Sequence, residues 1–286
     1  MTIVALLTDF GMSDGYAGVM KGVILGIAPE TVLIDISHDI PPQDIRAGAF
    51  VLKSASPYFP LGTIVVAIVD PGVGSERRII AVRTSRALFI APDNGVLSWA
   101  LYGEDVREIV SVTESRYWLP KVSRTFHGRD IFAPVAAHLA NGLPIDRLGR
   151  PIQDPIHLPL PRPRLETGGV VHGEVIYIDR FGNLVTDIQL DPGDHRITNL
   201  SGCERDVRLN SAIRVQIREH RINSIRDDYA DGEPGEMLAL VGSSGHLEVA
   251  VCNGNAALLL GGTVGMPVRV TLSLGASQTS AHHITI

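Results

Sequence analysis

Two domains of different class are predicted: an α/β domain with a mostly parallel sheet over residues 1–160, then a smaller, mostly antiparallel β domain over residues 165–286. Three observations carry this reading. Up to about residue 145, short β-branched runs alternate with helix-like segments, the pattern of a parallel sheet covered on both faces. From Leu143 to Arg164 the chain is crowded with prolines and lacks periodicity, as an extended connection does. Beyond it the helical period disappears, and short apolar runs are separated by Gly and Asn turns.

The first strand is Ile3 to Leu7, an apolar run that ends at Thr8-Asp9. A helix from Gly15 to Ala28 is stopped by Pro29, and Val32 to Ile36 returns as a strand. Gln43 to Ser54 reads as helix. Thr63 to Val69 is the most β-prone run of the chain, followed by strands at Ile79 to Arg83 and Leu88 to Ile90. A last helix, Ile131 to Ala140, ends before Asn141-Gly142. In the second domain the strands are Val170 to Ile178, Asn183 to Ile188, Val207 to Ile217, Met237 to Val241, Leu247 to Val251 and Val268 to Leu272. The polar tail from Gly275 to Ile286 is expected to fray.

A chain of 286 residues, 45% of them hydrophobic, buries a core without staples. A net charge of −6 and only three lysines give no basic field for nucleic acid or an anionic membrane. The N-terminal residues have no basic region and meet Asp9 before a signal-length apolar stretch accumulates, so no export signal is expected. The longest uncharged run, Val249 to Val268, holds two asparagines, four glycines and Pro267, which suits buried strands and turns rather than a membrane span. Cys203 and Cys252 form neither a CxxC motif nor a disulfide framework, and a cytoplasmic setting is expected.

Asp9 and Asp70 each follow directly on an apolar β run, which places both at strand carboxyl ends, where ligands bind in open α/β sheets. Turn or helix capping is the competing reading. After Asp70, Pro71-Gly-Val-Gly-Ser75 lets backbone N–H groups approach a ligand closely, although it lacks the lysine and spacing of a P-loop. Either Arg77 or Arg78 could turn back toward Asp70, and a solvated surface arginine is the bland alternative for both. Thr125-Phe-His-Gly-Arg-Asp130 reads as a site loop, with His127 the histidine aimed at the crevice. Asp9, Asp14, Asp70, His127 and Asp130 could be assembled into a metal site, but no HxH, HExxH or DxD spacing supports it, so none is expected. In the second half, the polar turns around Asp179 to Asn183, Gly242 to Glu248 and Asn253 to Ala256 are explained by hairpin chemistry without a ligand.

Seven ordered motifs change the weight of these alternatives: Leu7-Thr-Asp-Phe-Gly11, Asp35-Ile-Ser-His38, Val69-Asp-Pro-Gly-Val-Gly74, Ala91-Pro-Asp-Asn-Gly95, Phe126-His-Gly-Arg-Asp130, Asp179-Arg-Phe-Gly-Asn183 and Ser243-Ser-Gly-His-Leu-Glu248. Together they resemble the S-adenosyl-L-methionine (SAM) hydroxide adenosyltransferases, the SAM hydrolases related to the SAM-dependent fluorinase and chlorinase. The resemblance covers most of the chain. It implies a homotrimer that binds SAM where the α/β domain of one subunit meets the β domain of its neighbour, and no cofactor. It also implies Asp70, Arg77 and His127 as the residues that handle water, with Arg77 preferred over Arg78 on spacing. Asp9 would hold the ribose hydroxyls, Asp14, Asp179 and Ser243 would face the methionine portion, and Phe181 and Asn183 would contact adenine. Phe126, Gly128, Glu248 and Asn255 complete the implied substrate set. Gln43 and Ser244 depart from the halogenases, which have an aromatic over the ribose at the first position and, in one case, an arginine near the methionine carboxylate at the second.

The implied reaction is attack of water at C5′ of the sulfonium, giving adenosine and L-methionine. Lowering the pKa of water from about 15.7 to about 7 takes about 12 kcal/mol, whereas one cation at about 4 Å supplies about 4 kcal/mol at a realistic dielectric. Preformed hydroxide is therefore not expected. Asp70 is expected to take the proton as attack proceeds, with Arg77 and His127 orienting the water. A SAM-dependent halogenase is the nearest rival, and a carboxylate at position 70, where halogenases have an aromatic, argues against it. A SAM or adenosine binding module without turnover is the rival from another class.

Overall fold

The computed structural model describes residues 1–166, 168–191, 195–201, 207 and 213–271. The expected strand end at Leu272, the polar tail and Cys203 lie outside the described residues. The chain divides into two units, Met1–Leu160 and Pro161–Ile286.

In the first unit the order is β1 (Ile3–Thr8), α1 (Tyr16–Ile27), β2 (Val32–Ser37), α2 (Ile45–Ala55), β3 (Thr63–Ile68), β4 (Ile79–Thr84), β5 (Ala87–Pro92), β6 (Val106–Val112), α3 (Ala133–Ala140) and β7 (Gly149–Pro151). They form one sheet ordered β2-β1-β3-β5-β4-β6-β7. The pairs β1–β2, β1–β3 and β3–β5 are parallel, while β4–β5, β4–β6 and β6–β7 are antiparallel. Five strands thus share one direction, and β4 and β7 run against it.

Every residue of β3 is buried, as expected of a central strand covered on both faces. Val4, Leu6, Val66 and Ile68 share one core cluster with Met20 and Ile24 of α1 and Val135, Ala136 and Leu139 of α3. The Asp44 carboxylate caps α2 by accepting from the Ala47 N–H at 2.9 Å. Before α3 the chain makes one π-helical turn, Gly128–Phe132, so the regular helix starts two residues later than periodicity predicts.

Two strands of this sheet were not expected. The apolar run of β6 is interrupted by Arg107 and Glu108, which masks its period. In the sheet Glu108 pairs across the strand boundary with Arg83 of β4 at 2.5 Å. β7 lies inside the proline-rich stretch, and its Pro151, which has no N–H, is tolerated because the strand is at the sheet edge.

In the second unit the elements are β8 (Arg164–Glu166), β9 (Val170–Ile178), β10 (Leu184–Gln189), β11 (Arg214–Ile217), β12 (His220–Ile222), β13 (Ile225–Arg226), β14 (Met237–Val241), β15 (His246–Val251), α4 (Ala256–Leu260) and β16 (Pro267–Thr271). The sheet order is β12-β11-β16-β9-β10-β15-β14-β13, with β8 pairing β9. Every pair is antiparallel except β13–β14. Of the strand expected from Val207 to Ile217, only Arg214–Ile217 is a described strand. The uncharged run from Val249 to Val268 resolves into the end of β15, the short α4 and the start of β16. Among the described residues no helix is long and apolar enough to cross a membrane.

Candidate active site

Asp9 and Asp70 follow β1 and β3, which run parallel as neighbours, so both carboxylates stand at one sheet edge. The arginine that joins Asp70 there comes from the loop ahead of a strand running the other way, and His127 comes from the turn before α3. Because β4 is antiparallel to β5, its first residue lies at the carboxyl end of β5, and Arg77, two residues before it, is delivered to the same edge. The intervening loop is folded by its own turns: Val73 N–H donates to the Asp70 carbonyl, and Ser75 Oγ donates to the Gly72 carbonyl and accepts from Arg77 N–H.

Arg77 grips Asp70 with two nitrogens. Its Nε lies 3.1 and 2.9 Å from Oδ1 and Oδ2, and its Nη2 lies 2.5 Å from Oδ2. The pair is largely removed from solvent, with the Asp70 side chain 5% and that of Arg77 12% exposed. The same Nη2 reaches His127 Nδ1 at 3.0 Å. A guanidinium only donates, so Nδ1 carries the lone pair and the imidazole proton sits on Nε2. Burial, and then the Arg77 charge, hold the His127 pKa below the ordinary histidine value. His127 is thus a neutral imidazole presenting an N–H donor. An ionised carboxylate offers about four lone-pair sites. Arg77 takes one on Oδ1 and two on Oδ2, which leaves Oδ1 an acceptor for water.

The neighbouring arginine has different work. Arg78 Nε donates to Asp93, which is buried, at 2.8 Å, and its Nη1 and Nη2 hold the side chain and carbonyl of Asp154 at 2.8 and 2.7 Å. It clamps the proline-rich stretch onto the sheet. Asp130 is likewise structural: fully buried, it accepts from Arg129 Nε at 2.6 Å and from the Ser123 N–H at 2.8 Å. Burial opposes its charge, yet these bonds hold its carboxyl below the usual range. With Asp70 and Asp130 both given to arginines, the acidic set does not converge, and among the described residues no three His, Cys, Asp or Glu side chains gather as a metal site would require.

Beside His127 in the chain, Phe126 packs edge-to-face on Tyr16 and Phe10, with centroids 5.0 and 5.9 Å away. Gly128 is buried against these rings. Asp9 accepts the Gln43 N–H on Oδ2 at 2.8 Å, and Gln43 adopts φ 66° to donate it. Asp14 is exposed at the start of α1.

In the second unit a cleft of about 540 Å³ is lined by Asp179, Phe181, Asn183, Ser243 and Glu248. Asp179 organises it: Oδ1 accepts from the N–H groups of Phe181 and Asn183 at 2.9 and 2.8 Å, and Oδ2 from Asn183 Nδ2 at 2.9 Å. The resulting turn leaves the Phe181 ring 75% exposed, an open stacking face. Gly182 sits at φ +86°, and an added Cβ there would fall 2.1 Å from the Asn255 amide carbon. Asn255 caps α4, its Oδ1 accepting from the Leu258 N–H at 2.7 Å.

Matching against family models gives the SAM hydroxide adenosyltransferase N-terminal domain over residues 4–149 and its C-terminal domain over residues 173–269. The chain belongs to the SAM hydroxide adenosyltransferase family. A relative from Salinispora tropica, named (R)-S-adenosyl-L-methionine hydrolase, is 41% identical over 274 residues, covering 94% of this chain and 97% of its own. One of the same name from Thermus thermophilus is 38% identical over 280 residues, covering 94% and 100%. Among solved structures, an uncharacterized conserved protein from Thermotoga maritima superposes with TM-score 0.82 at 34% identity, covering 94% of this chain and 99% of that one.

Within this adenosyltransferase frame one cleft residue has no signal in the sequence. Tyr229, a lone aromatic in an acidic loop, lines the cleft and donates its hydroxyl to Glu248 Oε2 at 2.8 Å. Glu248 is buried, and burial and then the Asp179 charge raise its pKa despite that bond. Tyr229 is raised in turn by burial and by Glu248.

Proposed function

We propose that this chain hydrolyses SAM to adenosine and L-methionine by attack of water at C5′. One observation carries the reading: Asp70, Arg77 and His127 form a single hydrogen-bonded chain at the sheet edge, with one acceptor and one donor left over. Water docks on the remaining lone pair of Asp70 Oδ1 and is oriented by the Nε2–H of His127. The C5′–O bond forms as the C5′–S bond breaks, the electron pair leaves with the methionine thioether, and the water proton passes to Asp70. The sulfonium is already an activated leaving group, so alignment is the main demand. Asp9 holds the ribose hydroxyls, Asp14, Asp179 and Ser243 face the methionine portion, and Phe181 and Asn183 receive adenine. Phe126, Gly128, Glu248 and Asn255 complete the substrate contacts. The proposal includes a homotrimer, as the resemblance implies, a cytoplasmic setting, as the sparse cysteines suggest, and no cofactor.

The deciding experiment incubates the purified chain with SAM and follows products by chromatography. Adenosine and methionine should appear in equal amounts, unaffected by EDTA and by chloride or fluoride. A halide-dependent 5′-halo-5′-deoxyadenosine would replace the hydrolase reading with the halogenase one, and SAM binding without products would replace it with a binding module.

The His127 tautomer makes a pH prediction. Protonating Nδ1 turns the acceptor for Arg77 into a donor and breaks the chain. Since the His127 pKa is lowered from 6.5, the neutral form persists below that value, and kcat/KM should stay level through pH 6.5 before falling. An acid limb centred above 6.5 would contradict this.

A further inference from the structure

Asp35-Ile-Ser-His38 contains a buried histidine that the proposed chemistry leaves unused. His38 is only 3% exposed, and both ring nitrogens are engaged: Nε2 lies 3.0 Å from Asp35 Oδ1, and Nδ1 lies 2.8 Å from Thr8 Oγ1. Asp35 also receives Lys21 Nζ at 2.6 Å. Burial works against its charge, but the bonds from Lys21 and His38 prevail and keep it ionised. An ionised carboxylate only accepts, so in the neutral imidazole Nε2 carries the proton and Nδ1 accepts from the Thr8 hydroxyl. That fixes the hydroxyl. Its oxygen then accepts the Phe10 N–H at 3.2 Å, and the His38 carbonyl accepts the Gly11 N–H at 2.7 Å.

These two bonds flank one residue. Thr8, fully buried, ends β1, and Phe10 and Gly11 follow Asp9, so His38 holds the chain on both sides of that carboxylate, through its side chain before and its backbone after. With Oδ2 of Asp9 given to the Gln43 N–H, Oδ1 has no protein partner among the described residues. Its direction is set by the turn. We propose that His38 is a positioning residue for Asp9: the Asp35–His38–Thr8 relay fixes the turn that aims Asp9 Oδ1 at the sugar hydroxyls of the substrate. This rests on the SAM reading given above, in which Asp9 is the ribose contact.

The test reads binding, so it does not depend on turnover. Dissociation constants for SAM and for adenosine are measured by calorimetry for the wild type, His38→Leu, His38→Asn and Asp9→Ala, and for the double variant of His38→Leu with Asp9→Ala. His38→Leu should weaken both ligands about tenfold. His38→Asn, whose amide oxygen can replace Nδ1 as acceptor for Thr8, should recover most of that loss. In the Asp9→Ala background, His38→Leu should cost less than twofold more, because the carboxylate it positions is gone. Thr8→Val keeps the shape of Thr8 and removes only its hydroxyl, so it decides the matter if His38→Leu does not fold, and it too should weaken binding about tenfold. Wild-type affinity in His38→Leu or Thr8→Val, or the same loss with and without Asp9, would overturn the proposal. Failure of the wild type to cleave SAM while these couplings hold would instead overturn the catalytic reading and leave His38 in place.

Discussion

Asp70→Asn is expected to lower turnover of SAM by about 10²- to 10⁴-fold, the range typical of a positioned general base, with SAM affinity changed only a few-fold. Asparagine keeps the shape of aspartate but cannot accept a proton at neutral pH. Its amide also turns two donors toward a guanidinium that has only donors to offer, so the grip on Arg77 fails along with the proton transfer. The alternative is that the site makes hydroxide before SAM arrives, with Arg77 supplying the field. The geometry weighs against it. A single cation already falls well short of the required stabilisation, and here the Arg77 charge is neutralised by Asp70 in a bidentate contact. What remains is a carboxylate with one open lone pair, suited to accept a proton from water during attack. Single-turnover rates beside calorimetric affinities separate the two steps. Unchanged turnover in Asp70→Asn would remove the proton-acceptor role.

The parts of this arrangement that could be read from the sequence are those fixed by local chemistry. An apolar β run followed at once by an acid marks a strand end, and that signal placed Asp9 and Asp70. The choice between Arg77 and Arg78 is of another kind. The two residues are adjacent and chemically identical, and only the reversed direction of β4 and the buried Asp93 waiting beside it decide which one meets Asp70 and which clamps the connection. β6 escaped because Arg107 and Glu108 break its apolar period, a cost relieved by the partner strand, which supplies Arg83. Tyr229 carries no local signature because its role depends on Glu248, nineteen residues away, folding back over the same cleft. The Asn255 amide looks, from sequence, like any polar group near a turn, and its helix-capping bond is visible only once α4 is built.

The loop that carries Asp70 has its own point of failure, and Gly74→Ala is expected to reduce turnover by about 100-fold, the scale of an ångström-sized misplacement of reacting groups. Gly74 lies at φ +79°, and a Cβ there would fall 2.2 Å from the carbonyl oxygen of Arg124. That oxygen is backbone and cannot swing aside. Arg124 is three residues before His127, so the contact is where the Asp70–Arg77 loop docks on the segment bearing the histidine. A methyl group must push the two apart and stretch the Arg77–His127 bond. Gly62→Ala separates this from simple backbone strain. Gly62 has nearly the same φ, +82°, but nothing lies within 4 Å of its missing Cβ. It should lose about 1–2 kcal/mol of stability, the usual cost of a left-handed conformation, and retain turnover. Equal losses of turnover in the two variants would show that the glycine serves the fold of the loop rather than the register between Arg77 and His127.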